Sequence, residues 1–306
     1  MSFLNKFRLS NIIEEYVRSH RNDFVFIDQE HINKLQKFYL CMLEDLVPIF
    51  EAEGIKICLG GGSLLGKIRH NGFIPWDDDF DANVTREDYE KIMDLFRYNK
   101  RNICEKYDFR GPGYYKGAEV RMGKIYKKDS VYESAFSKKN AMNKLFIDIA
   151  IIENVPNNKL LSLIKGIQTI LLIAIIGFVE TKENVINHNL GWRWNITYSF
   201  YKLIGTVFSI IPLQDWYKKL YEVSGYAEPS KRCTVPLGIL LYFGETVQRD
   251  VYLPMKKSDF CGIPVWIPND AEGYLENRYG DWKTIPPVEK REMHYCKRID
   301  YGKEII

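Results

Sequence analysis

Four aspartates fall within five residues, Asp77, Asp78, Asp79 and Asp81, and this cluster limits what the chain can be more than any other feature. Carboxylates that close repel one another unless cations or ammonium groups sit among them. A solvated acidic loop would satisfy that condition, but Phe73, Ile74 and Trp76 lead into the cluster and Phe80 interrupts it, which is the composition of buried chain. Read as a strand over 77–84, the segment directs Asp77, Asp79 and Asp81 to one face and Asp78 to the other.

Carboxylates two residues apart on a strand offer hard oxygen ligands to one or two divalent cations, as a magnesium site that also holds substrate phosphates requires. A third carboxylate on a neighbouring strand would complete the set. The best candidate is Asp148, inside the apolar run Leu145-Phe146-Ile147-Asp148-Ile149. Buried there, it needs a partner, and either a metal or a structural Lys or Arg would serve. A calcium loop is a poor match: Asp77, Asp79 and Asp81 fit positions 1, 3 and 5 of an EF-hand, but Ala82 replaces the glycine, Asp88 replaces the closing glutamate, and Pro75 spoils the entering helix.

Around the cluster, apolar residues at helical spacing from Leu35 to Ile49 predict a helix over 32–53 that Gly54 stops. A strand at 55–59 then runs into the turn Gly60-Gly61-Gly62-Ser63 and a short helix over 64–69. Thr85-Arg86-Glu87-Asp88 resembles a capping box with Asp in place of Glu, opening an amphipathic helix through Phe96. Further strands are expected at 120–126 and 145–152. Prolines at 254, 264 and 268 make 251–254 and 261–268 edge strands or loops.

Gly61 to Lys67 spells G-x-x-x-x-G-K, but Ile68 stands where a phosphate loop needs a hydroxyl, so a P-loop kinase is a weak reading. As a nucleotide-binding turn instead, Gly61 and Gly62 let the backbone approach phosphates at a helix N-terminus, and Ser63 adds a hydroxyl. Lys67, Arg69 and Lys124, with Arg121 as a further candidate, would supply positive charge. For Lys67 and Lys124 a solvated surface side chain is the commoner fate.

The 306 residues are 46% hydrophobic and 27% charged, enough for one large core or two modest ones. With 43 basic and 40 acidic residues the net charge of +3 gives no broad field for nucleic acid. The six scattered cysteines, without a C-x-x-C pair, and the absence of a secretory signal before Asn22 point to reduced thiols in the cytoplasm. Residues 156–230 are rich in Leu, Ile, Trp and Tyr and read as a helical insertion or lid, with apolar helices over 160–179 and 200–211, between a core at 1–155 and a C-terminal part at 231–306. The longest apolar run, 169–179, is too short to span a membrane but could lie on one.

The stretch Gly62-Ser63-Leu64-Leu65-Gly66-Lys67-Ile68-Arg69-His70-Asn71-Gly72-Phe73-Ile74-Pro75-Trp76-Asp77-Asp78-Asp79-Phe80-Asp81 resembles the signature of the LicD family. That family includes bacterial phosphocholine transferases and is related to fukutin and fukutin-related protein. Arg86-Glu87-Asp88-Tyr89, Phe146-Ile147-Asp148-Ile149, Tyr274-Leu275, Tyr279-Gly280-Asp281-Trp282, Pro286-Pro287, Arg291 and His294 extend the match.

The resemblance implies an α+β nucleotidyltransferase (polymerase-beta-like) fold, a mixed sheet flanked by helices. It makes Asp79 and Asp81 a DxD-type metal pair for Mg2+ or Mn2+, Asp148 the third carboxylate, and Asp77 a further ligand or outer neighbour. The implied reaction moves a phospho-alcohol, phosphocholine favoured, from a CDP-alcohol such as CDP-choline to a glycan or lipid-linked glycan of teichoic acid, lipopolysaccharide or capsule. The implied place is the cytoplasm or the inner face of the plasma membrane. Where the family often carries a second aspartate after Asp148, this chain has Glu153. An aromatic cage for choline among Trp192, Trp194, Trp266 and Trp282 is conceivable. Two other classes stay open: a nucleotidyltransferase making an NDP-sugar or CDP-alcohol, and a non-catalytic glycan-binding protein.

Overall fold

The computed structural model describes residues 24–114, 120–134, 142–183, 192–288, 291 and 295–302. The expectations on the chain before Asn22 and on His294 lie outside these residues, as do the side chains of Trp192 and Trp194.

The first long helix, α1 (Gln29–Ala52), starts where Asp28 accepts from the His31 N–H and buries Leu35, Phe38, Met42, Leu46 and Phe50 along one stripe. Gly54, at φ +64, turns the chain out of it, as only glycine does without strain. Two residues of β2 (Cys58–Leu59) join the sheet, fewer than the five that alternation suggests, and α2 (Gly61–His70) begins at once. The expected glycine turn is therefore the first turn of a helix. The acidic segment also differs: residues 77–80 are irregular, and β3 (Asp81–Thr85) begins only at the last aspartate. Thr85 caps α3 (Arg86–Arg97): its hydroxyl accepts from the Asp88 N–H at 3.2 Å and donates to the Asp88 carboxylate at 3.0 Å, so the aspartate answers the cap through the hydroxyl.

Next come β4 (Tyr107–Arg110), β5 (Gly123–Lys127), β6 (Val131–Ser134) and the ten-residue β7 (Phe146–Val155). After the helical region the chain returns through β8 (Arg232–Thr234), α7 (Leu241–Gly244), β9 (Val247–Gln248), α8 (Arg249–Tyr252), β10 (Lys256–Phe260), β11 (Ile263–Ile267) and α9 (Ala271–Tyr279). The main sheet runs β10-β11-β2-β3-β7-β5-β4, with β8 on the far end of β7 and β9 beyond it. Pairs β3–β7 and β11–β2 are parallel and the others antiparallel, so the sheet is mixed, and helices flank it. A small sheet joins β1 (Val25–Phe26), β12 (Tyr295–Asp300) and β6.

Two expectations about the C-terminal part are corrected. Residues 249–252 form a helical turn. Strand β11 is internal, between β10 and β2; it bonds β2 only around Trp266, so Pro264 sits where the missing N–H has no ladder partner to lose.

The helical region holds α4 (Lys159–Glu183), α5 (Trp192–Phe208) and α6 (Leu213–Ser224). It has its own core, in which Leu172, Ile176 and Val179 meet Leu213, Trp216, Tyr217 and Leu220. The run at 169–179 is part of a 25-residue helix, which at 1.5 Å per residue is about 37 Å long. By length and composition that helix is long and apolar enough to cross a membrane, which corrects the expectation drawn from the run alone. Lys165 interrupts the apolar sequence but not the helix, because its ammonium donates to the carbonyls of Val223 and Gly225, each at 2.7 Å.

Candidate active site

Parallel pairing of β3 with β7 sets Asp81 directly beside Asp148. On β7's other side, antiparallel β5 sets Lys124 opposite the same Asp148. Residues in register share a sheet face, so two carboxylates and an ammonium form a row across three strands. Lys124 Nζ lies 2.5 Å from Asp148 Oδ1 and 3.5 Å from the centre of the Phe146 ring. Of the two partners the sequence leaves open for the aspartate in this apolar strand, the structure supplies the lysine.

Asp81 is held from three sides by the start of α2. Its N–H donates to Ser63 Oγ at 2.9 Å, its carbonyl accepts from the Gly60 N–H at 3.1 Å, and its Oδ2 accepts from the Gly62 N–H at 3.2 Å. A Cβ on Gly61 would lie 2.1 Å from Asp81 Oδ2, and one on Gly62 would lie 2.8 Å from Asp77 Oδ2. The glycines thus bring the positive end of a helix against the carboxylates, a contact that any side chain would block. The Gly61 N–H is taken by the Tyr274 hydroxyl at 3.0 Å.

The loop before β3 is fixed just as firmly. Gln36 of α1 donates to the carbonyls of Ile74 and Asp77 at 3.0 and 2.9 Å, and Tyr39 donates to the Asp78 carbonyl at 3.2 Å. Phe80, fully buried, packs edge-on against Phe73 and Phe260, which pins the chain between Asp79 and Asp81. Burial, then the charge of Asp81 and its neighbours, pushes the Asp79 carboxyl well above the ordinary carboxylate range. Burial and Asp148 push Asp81 up as well, against the opposing pull of the Gly62 N–H, Arg278 and Lys124. Carboxylates thus crowd the start of β3, with Lys124 and Arg278 as the opposing charges.

The other expected phosphate-binding groups are not gathered here. Ser63 is buried, with its oxygen turned to the Asp81 N–H, so it positions that aspartate. Lys67 reaches Asp259 Oδ1 on β10 at 3.0 Å. Arg69 donates to the carbonyl of Trp282 at 2.7 Å and through Nε to His70 at 3.0 Å, tying α2 to the segment after α9. Arg121 is exposed. Glu153 lies five residues beyond Asp148 and is a structural group: Arg86 grips both its oxygens, at 2.5 to 3.0 Å. Trp266 stacks under Lys56 and Lys257, and Trp282 lies beside Lys283, so these two rings do not share a cage.

Sequence reasoning missed Arg278. It stands one helical turn after Tyr274 on α9, pairs with the buried Glu245 at 2.5 Å, and contributes to the charge felt by Asp81. The spacing Tyr274-x-x-x-Arg278, one face of a helix next to a recognised motif, was the available signal. Among the described residues no three His, Cys, Asp or Glu side chains stand close enough to form a ready metal shell. The donor class nevertheless suits a hard divalent cation, and the burial and repulsion that raise Asp79 and Asp81 are what such an ion offsets.

Residues 54–159 match the family model described as LicD/FKTN/FKRP, nucleotidyltransferase domain. The chain is 27% identical over 279 residues to the lipopolysaccharide cholinephosphotransferase LicD of Haemophilus influenzae, covering 87% of this chain and 96% of that protein. Over 43 residues it is 49% identical to the ribitol 5-phosphate transferase FKRP of human and mouse, 14% of this chain and 9% of theirs. A third match, 28% identical over 109 residues, is an uncharacterized protein, RP689, of Rickettsia prowazekii, spanning 30% of this chain and 41% of that one.

Proposed function

The chain belongs to the LicD/fukutin family, and from that premise we propose that it transfers a phospho-alcohol, phosphocholine first, from a CDP-activated donor to a hydroxyl of a cell-surface glycan or its lipid-linked precursor, releasing CMP. The observation that carries this reading is the register of Asp81 with Asp148 beneath the N-terminus of α2, with Asp79 on the approach. A carboxylate set of this kind has little covalent chemistry to do in phosphoryl transfer, where positioning and charge dominate.

Asp79, Asp81 and Asp148 would hold a magnesium or manganese ion, with Asp77 beside them. Such an ion supplies positive charge to the transferring phosphate and acidifies the attacking hydroxyl. Gly62 and Ser63 keep Asp81 in place through its carboxylate and its N–H. Lys124 gives Asp148 a cation while the donor is absent and is free to turn to a phosphate oxygen once a metal takes over that role. Asp148 would also take the proton of the acceptor hydroxyl.

The test is CMP release from CDP-choline, CDP-ethanolamine, CDP-glycerol and CDP-ribitol, with magnesium and a glycan extract as acceptor, beside an Asp81→Asn control. Acceptor-dependent CMP from one donor, absent in the variant, is the expected result and names the headgroup. Pyrophosphate release from a nucleoside triphosphate instead, or acceptor modification that survives Asp81→Asn, would overturn the reading.

A further inference from the structure

A helix in a soluble protein normally hides its apolar stripe. Helix α4 leaves Leu160, Ile164, Ile167 and Leu171 exposed, and only a third of its most apolar 18-residue stretch is buried. Helix α5 repeats the pattern with Ile196, Phe200, Leu203 and Val207. The spacings of three and four residues make each set one continuous stripe. The two helices form one body: Tyr201 packs edge-on against Phe178 at 4.9 Å, and Gly205 sits against the Phe178 carbonyl, where a Cβ would be 2.2 Å away. The apolar surface continues onto the exposed Ile239 and Phe243, whose ring lies on Gly166 of α4.

We propose that this two-helix body lies in the plane of an anionic lipid bilayer, with the α4 and α5 stripes in the acyl region. The proposal deepens, and rests on, the reading of a lipid-linked acceptor. Charge identifies the occupant. Helix α5 has no acidic residue and carries the exposed Lys202, while α4 has none before Glu180 and begins at the exposed Lys159. Cations flanking an aliphatic stripe are the composition of an interfacial helix. A second copy of the same surface would set those cations against one another.

The helix does not cross the bilayer, although it is long enough. Its opposite side is packed along α6, whose outer face carries the exposed Asp215, Lys218, Lys219 and Glu222. Crossing would carry those charges into hydrocarbon. In the plane, they stay in water. The bilayer-facing segment is also tied to α9, which reaches the active site: Glu245 accepts from the Leu240 N–H at 3.2 Å and pairs with Arg278 of α9, and Tyr274 of the same helix accepts from the Gly61 N–H at 3.0 Å.

The test is flotation of the full chain with vesicles of phosphatidylcholine alone or mixed with phosphatidylglycerol. The comparison is with a variant carrying Leu163→Ser, Ile167→Ser, Phe200→Ser and Leu203→Ser, all exposed positions. The wild type is expected to float with the anionic vesicles, and the variant to lose more than about tenfold in binding, the factor that burying a single such side chain is worth. CMP release toward a water-soluble acceptor stays equal in both, so failure of the reaction and failure of the surface are read separately. An environment-sensitive dye introduced by Leu163→Cys in a Cys261→Ser background should brighten on vesicles, and one introduced by Lys218→Cys should not. Wild type that ignores both vesicles, a dimer that the variant splits, or brightening at both dye positions would each overturn the proposal.

Discussion

Gly61 is the residue at which backbone, charge and chemistry meet. Its φ of +43 and the 2.1 Å separation between a built Cβ and Asp81 Oδ2 leave no room for alanine. Gly61→Ala is expected to abolish CMP release while lowering the melting temperature only as one strained position does, with a loss of about 1–3 kcal/mol measured by urea unfolding. The aspartates beside it predict a pH dependence with a definite sign. Asp79 and Asp81 have carboxyls raised in the folded state, first by burial and then by neighbouring carboxylates. At these two groups the folded protein thus binds more protons than the unfolded one, and the stability they contribute is complete below the ordinary Asp pKa of about 4 and is lost as pH rises through the raised values. In metal-free buffer the melting temperature should fall on going from pH 5 to pH 8. Magnesium should restore it most at the higher pH, because ligation requires the ionised carboxylates. A melting curve indifferent to magnesium at pH 8 would remove the metal from the account.

At the scale of elements, the ion pair between α3 and the end of β7 holds the sheet to the helical region. Arg86 binds Glu153 through two nitrogens, donates to the Tyr221 carbonyl at 2.9 Å, and lies 4.1 Å over the Tyr221 ring. Breaking a fully buried pair by removing one partner costs about 3–5 kcal/mol, and a partly exposed Arg86 reduces that. Glu153→Gln should therefore lower unfolding stability by about 2–3 kcal/mol and leave CMP release at saturating donor near the wild-type rate. Equal loss of rate and stability would assign Glu153 to the chemistry. The elements themselves differ in how legible they were. The cap at Thr85 and the stripe of α1 were written in local spacing, and so was the apolar strand around Asp148. The irregular 77–80 segment was not, because its shape comes from Gln36, Tyr39 and Phe260, which are distant in sequence. Pro264 misled for a related reason: whether a proline can sit in an inner strand depends on how far the neighbour's ladder extends.

The whole molecule adds what no segment contains. Asp81, Asp148 and Lys124 become neighbours only through strand order, and Tyr274 and Arg278 join them from the far end of the chain. The carboxylates were visible in the sequence because four aspartates together are improbable without a cation. Arg278 was not, because its partner Glu245 and its distant beneficiary Asp81 lie on separate elements. That arrangement allows structural and electrostatic roles to be separated. Arg278→Met alone strands the carboxylate of Glu245, which is 2% exposed, and should cost about 3–5 kcal/mol of stability. Adding Glu245→Leu removes the stranded charge and should recover most of that stability. If Arg278 only braces the fold, CMP release returns with stability in the double variant. If its charge also offsets the crowding of carboxylates around Asp81, the double variant refolds but still turns over about tenfold more slowly, the factor for a lost stabilisation of about 1.4 kcal/mol. The expected outcome is the second, because Arg278 is one of the cations that hold the Asp81 carboxyl down against burial and Asp148.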